Sequence, residues 1–228
     1  MKINARLIAP VIYQFSWIIT LPVLISTSGI LSLGVIPLAL FWHWISFSLT
    51  GHMIISHGCR SRWLPDSVMK LLFFINSYIP VSLWASYHIQ HHKHHDTPSD
   101  PQSRDYHGKT PLLAYYDPAK IDVRTFVKSE RDPVNRVFTK YYFLLLSLPF
   151  WGLALFDVST ILLLWLVPGS LALNIVLFSA WYSHVNLKPV TDLPFWLNIL
   201  FLGESQYHDR HHRDWNHCEP MTAWMLRS

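Results

Sequence analysis

The chain has 228 residues and fourteen of them are histidine. Their spacing bears on chemistry more than any other feature. Three clusters stand out: His52 with His57, His88 with His91 and His92, and His208 with His211 and His212. His184 stands alone. On an α-helix, positions i, i+3 and i+4 share one face, so each H-x-x-H-H triplet aims three imidazoles into one small volume. His52 and His57 are five apart, about 140° around an α-helix, and are expected to serve two metals or two sides of one site. Imidazole suits Zn, Cu, Fe and Ni. Eight or nine such ligands are too many for one ion and about right for two. The doublet His94-His95 reads as a solvated basic turn and is left outside the site.

These residues need elements to deliver them. From Leu7 to Gly51 there is no Asp, Glu, Lys or Arg, and one bilayer crossing needs only about 20 apolar residues. The stretch therefore reads as a helical hairpin turning near Ser26-Thr27-Ser28-Gly29. A second apolar stretch, Tyr141 to Leu187, contains a single acid, Asp157, expected in the turn between two further spans. Val68–Tyr87 is apolar but interrupted by Asn76, Ser77 and Pro80, and is expected as one interfacial helix. Residues 97–135 read as a loop region. Trp84, Trp181 and Trp215 read as interfacial anchors. The fold class is all-α integral membrane: one domain over 1–228, with transmembrane helices at 7–27, 30–51, 141–157 and 160–183 plus interfacial helices.

All eighteen Lys and Arg lie at the N-terminus, within 60–140, or after 187. That is the positive-inside pattern. It predicts a multi-pass protein with both termini and the histidine clusters on the cytoplasmic side. A basic cytoplasmic face also accounts for the net charge of +4 without nucleic acid as a partner. Cys59 and Cys218 form neither a disulfide framework nor a C-x-x-C pair. A membrane zinc hydrolase needs fewer histidines, and no H-E-x-x-H is present. A metal carrier calls for ionisable groups along a path through the bilayer, and the spans hold almost none beyond His43.

The order H-x4-H, H-x-x-H-H, H-x-x-H-H resembles the membrane fatty acid desaturase/hydroxylase superfamily. Gly51-His52 through His57-Gly58-Cys59-Arg60, His88 through Asp100-Pro101, and Gly203-Glu204 through His211-His212 are similar to the three boxes of acyl-CoA delta-9 (stearoyl-CoA-type) desaturases. His184 matches the extra histidine that those enzymes place before the third box. Their asparagine four residues before that histidine is Ala180 here. The resemblance implies nine ligands, His52, His57, His88, His91, His92, His184, His208, His211 and His212, in box regions 52–57, 88–92 and 208–212. It implies two Fe ions, which zinc can replace on overexpression.

The implied reaction is O2-dependent introduction of a C=C bond into an acyl chain carried by CoA, a carrier protein or a lipid. A hydroxylase, acetylenase or decarboxylase of the same superfamily is the alternative. The implied partners are the lipid bilayer and a cytochrome b5- or ferredoxin-like electron donor, which the basic face would attract. Asp100 and Glu204 are candidates for carboxylates that orient ligating imidazoles.

Overall fold

The computed structural model describes residues 7–95, 97–102, 112, 116–185, 211–214 and 226–227. The described chain is mostly helical. Its one sheet among the described residues is a two-stranded antiparallel ribbon, β1 (Arg60–Ser61) with β2 (Leu226–Arg227).

The first apolar stretch forms α1 (Ile8–Phe15), α2 (Trp17–Ser28), a 3-10 turn (Gly29–Gly34) and α3 (Val35–Trp42), followed by a π-helical segment (His43–Ser56). Gly29 ends α2 with φ +52 and ψ −127, a backbone that only glycine adopts cheaply. Hydroxyls of Ser26, Thr27 and Ser32 return to backbone carbonyls three or four residues earlier, which satisfies them without water. Leu24 before the turn and Val35 after it pack in one buried cluster with Leu162 and Val167, so the chain folds back at Gly29–Gly34.

The second apolar stretch comprises α8 (Tyr142–Leu146), α9 (Leu148–Leu155), α10 (Val158–Ile161), a second π segment (Leu162–Leu166) and α11 (Val167–Val185). Its break falls at Phe156–Asp157, where the Asp157 carboxylate accepts the Thr160 N–H and caps α10. Among the described residues, two helical runs are long and apolar enough to cross a membrane, Trp17–Ser56 and Val158–Tyr182. α11 lies against α1, α2, α3 and both π segments. It is tied to α1 by a buried amide pair: Gln14 Nε2 donates to Asn174 Oδ1 at 3.2 Å, and Asn174 Nδ2 donates to the Gln14 carbonyl at 2.8 Å.

The expectation of one interfacial helix over 68–87 is corrected. The chain forms α4 (Asp66–Ile75) and α5 (Val81–His94) instead. Pro80 has no N–H with which to continue the first helix. Tyr78 turns the corner with φ +55, held between the Tyr13 and Trp165 rings at 4.8 and 6.2 Å. α5 is packed inside the protein: Val81 through His88 are all buried, against the first π segment, α6 (Val123–Ser129) and α7 (Pro133–Lys140). Those two short helices occupy part of the expected loop region. Each is capped by an aspartate, Asp122 or Asp132, accepting a backbone N–H. Asp132 also binds Lys70 of α4, whose side chain is buried.

Candidate metal centre

The first π segment carries His52 and runs up to His57. Its hydrogen bonds run from i+5 to i: His57 N–H reaches the His52 carbonyl at 3.3 Å. The hydroxyls of Thr50 and Ser56 donate to the carbonyls of Ile45 and Gly51 at 2.6 and 2.7 Å. Residues five apart on such a helix sit about one turn apart. His52 and His57 therefore lie 5.2 Å apart, centroid to centroid, and join one group, the second of the two arrangements that their spacing allows. The Trp84 indole donates to the Gly51 carbonyl at 2.8 Å from inside the core, so Trp84 is a buried brace rather than an interfacial anchor. Trp215 lies outside the described residues.

The last turns of α5 bring His88, His91 and His92. The end of α11 brings His184, and a helical turn at 211–213 brings His211 and His212. Together with the π segment they form two adjacent groups. His52, His57, His88, His92 and His211 offer nitrogens that all lie within 4.8 Å of one another, and so do His91, His184 and His212. Eight histidines predicted as ligands thus converge. The ninth, His208, and the carboxylate of Glu204 lie outside the described residues.

In both groups the Nε2 atoms face one another. Within the larger group the closest approaches are 2.7 Å for His52 and His211, 3.0 Å for His88 and His92, 3.0 Å for His92 and His211, and 3.1 Å for His57 and His88. In the smaller, His91 and His212 approach to 3.3 Å. With metal–imidazole bonds of about 2.0–2.1 Å, two ligands on one ion stand roughly 3.0 Å apart at right angles and 3.4 Å apart at tetrahedral angles. The donor set therefore fits metal ions in chemistry and in spacing.

Burial, with the neighbouring histidines adding to it, lowers His57 to about 2 and His92 to about 3. The same causes hold His88 and His212 well below the ordinary imidazole value. Neutral imidazole is the form that binds metal.

Asp100 is completely buried, and its Oδ2 lies 2.8 Å from His91 Nδ1. That contact turns Nε2 of His91 toward the other ligands.

His95 is a correction. Although exposed, its ring stacks on His212 at 4.1 Å and 25° and stands 5.3 Å from His184. It belongs beside the site, not in a solvated turn. His95 thus stands at the edge of the smaller group, against His212 and His184.

On one side of the two groups lies a cavity of about 40 Å³, bounded by His52, His88, His91 and His184, with Phe47, Trp84 and Val176 as its apolar lining. A wider cleft of about 830 Å³, lined by Arg60, Trp63, Asp66, Lys70 and Asp132 among others, includes none of the histidines.

Helices long and apolar enough to cross a membrane, with imidazoles gathered from four separate pieces of chain, are features of the histidine-box class of proteins. Within that class, the chain belongs to the fatty acid desaturase family: the family model described as "Fatty acid desaturase" matches residues 26–216. Membership brings an oxidoreductase chemistry, an acyl substrate and a lipid environment. Neither curated proteins nor solved structures give a match.

Proposed function

We propose that the protein is an O2-dependent fatty acyl desaturase in which nine histidines, the eight converging ones and His208, hold two irons. The observation that carries this reading is the pair of adjacent imidazole groups in a chain of the fatty acid desaturase family. Two irons, when bound, supply the O2 activation and the removal of hydrogen that a C–H bond demands.

The protein's part is orientation and exclusion of water. Asp100 fixes the His91 ring, with Glu204 assigned the same task in the third box. Burial keeps His57, His88, His92 and His212 neutral. The lining of Phe47, Trp84 and Val176 offers an aliphatic chain a dry wall beside the histidines. The boxes resemble those of acyl-CoA delta-9 desaturases, which makes that group the nearest model for the substrate. Four spans, with termini and site on the cytoplasmic side, would place the centre within reach of an acidic electron donor of the cytochrome b5 or ferredoxin kind.

The test is lipid profiling by mass spectrometry of cells expressing the wild type or His91→Ala. New unsaturated acyl chains that vanish in the variant are the expected result. Oxygenated products instead would move the enzyme to the hydroxylases. Identical profiles from both proteins, with the donor co-expressed and the wild type carrying iron, would overturn the reading.

A further inference from the structure

We propose that His95 is the entry ligand of the smaller histidine group: it takes a metal ion from solvent and passes it to His91, His184 and His212. The inference rests on the metal reading above. Two members of that group, His91 and His184, are buried, and His212 is half-buried. A hydrated divalent ion cannot shed its water inside dry protein before ligands replace that water, because an uncompensated buried charge is very costly. Entry therefore calls for a donor that meets the ion while the ion is still in water.

His95 has that position. It is exposed, yet its ring meets each of the three: His212 at 4.1 Å, His184 at 5.3 Å and His91 at 5.6 Å between centroids. His94 is exposed as well, but its ring touches no described residue. Exposure on its own is thus not what marks His95; the three contacts are.

The local chain explains the placement. His95 follows α5 four residues after His91, and so lies on the same face. The Thr97 N–H and hydroxyl both donate to the His94 carbonyl, at 2.9 and 2.6 Å, which ties the chain back to the end of the helix. Asp100, which holds His91, donates its own N–H to the Thr97 carbonyl at 3.0 Å. The backbone on either side of His95 is therefore fixed while its ring stays at the surface. Exposed side chains change rotamer within ps–ns, so the ring can turn from solvent to site.

The transfer is a ligand substitution. A bond to the neutral His95 imidazole forms as one water leaves the ion. Bonds to the nitrogens of the group then replace further waters, and the bond to His95 breaks. No electron moves, and the ion keeps its charge. A residue on the path, rather than at its end, speeds entry and exit by the same factor and leaves the final affinity unchanged.

The experiment uses the full chain, purified in detergent without metal, with ferrous iron added in the absence of oxygen. Iron retained per chain is counted at timed intervals, and release to a chelator is timed separately. The wild type is expected to take up two irons. In His95→Gln one of them should enter about tenfold more slowly and leave more slowly by the same factor, with the final content still two. His95→Glu, of equal length but with a metal-binding carboxylate, should take up iron near the wild-type rate, and so should His94→Gln. Uptake by His95→Gln at the wild-type rate overturns the inference alone. Faster release from His95→Gln also overturns it, since that would make His95 a resident ligand. Equal slowing in His95→Glu or in His94→Gln overturns it too, by tracing the effect to something other than a donor atom at this position. A wild type with fewer than two metals overturns the metal reading and this inference with it.

Discussion

Asp100 has no solvent exposure, and both of its oxygens are committed, to His91 and to the Gln102 N–H. Asp100→Asn keeps the shape but loses the charge-assisted bond to the imidazole. Partners of this kind typically contribute 10–100-fold to metal affinity or activity. A fall of about that size is expected in a chelator competition titration; unchanged affinity would show that the carboxylate does not orient His91. The histidine spacing makes the converging residues legible in the sequence, but not how they divide between the two groups. At about 100° per residue, His88 and His92 are separated by about 40° and turn toward one group. His91 lies about 60° to the other side and enters the second group. Adjacent residues such as His211 and His212 diverge in the same way. His95 was missed although the signal was present: it stands four residues after His91, on the same helical face. Its exposure masked a neighbour that stacks on His212.

The π segment, His43–Ser56, is the element that the apolar pattern could not reveal, because an i+5 ladder leaves no distinct hydrophobic period. Read as an α-helix, His52 and His57 point apart; in the π ladder they meet. Two braces keep the segment in place. Trp84 donates to the Gly51 carbonyl, and the bare Cα of Gly51 lets the Phe73 ring approach: an added Cβ would stand 2.9 Å from Phe73 Cε2 and 3.1 Å from Trp84 Nε1. Trp84→Phe removes one of the two side-chain donors to the Gly51 carbonyl, which keeps the Ser56 hydroxyl, at a cost of about 0.5–1.5 kcal/mol. Gly51→Ala overpacks the same spot, at a cost of about 1–3 kcal/mol. Both variants should melt earlier than the wild type in detergent. Trp84→Phe together with Gly51→Ala should cost less than the sum, since the variants disturb one contact. Strict additivity would mean that the two braces act separately. The α4–α5 joint was hidden for a related reason. Pro80 signals a break, but the choice between an interfacial and a buried α5 rests on Tyr13 and Trp165, which reach Tyr78 from other parts of the chain.

At the scale of the whole molecule, the side chains left exposed are those a soluble protein would hide. Ile19 is 74% exposed, Ile30 81%, Trp151 66% and Leu155 78%, and soluble monomers rarely leave large contiguous apolar surfaces in water. The long charge-free stretches are legible from composition alone; the number of crossings is not, because a helical run such as Trp17–Ser56 states its length and not its path. The packing narrows that path. The turn at Gly29–Gly34 lies near Leu162 and Val167 through the cluster with Leu24 and Val35, while His184 stands at the other end of the helix that starts there. Leu162 to His184 spans roughly 33 Å at 1.5 Å per residue, close to the bilayer's hydrocarbon thickness of about 30 Å. Turns at one end and histidines at the other are what the four-span reading requires. Cysteine labelling tests it, in a background with Cys59→Ala and Cys218→Ala confirmed by metal content to be folded. Ser28→Cys and Asp157→Cys should react with a membrane-impermeant thiol reagent on intact cells. Asp117→Cys should react only after permeabilisation. The opposite pattern would place the histidines on the outer face and remove the access that a cytoplasmic electron donor needs. Labelling of all three from one side would mean that neither apolar stretch forms the hairpin proposed for it.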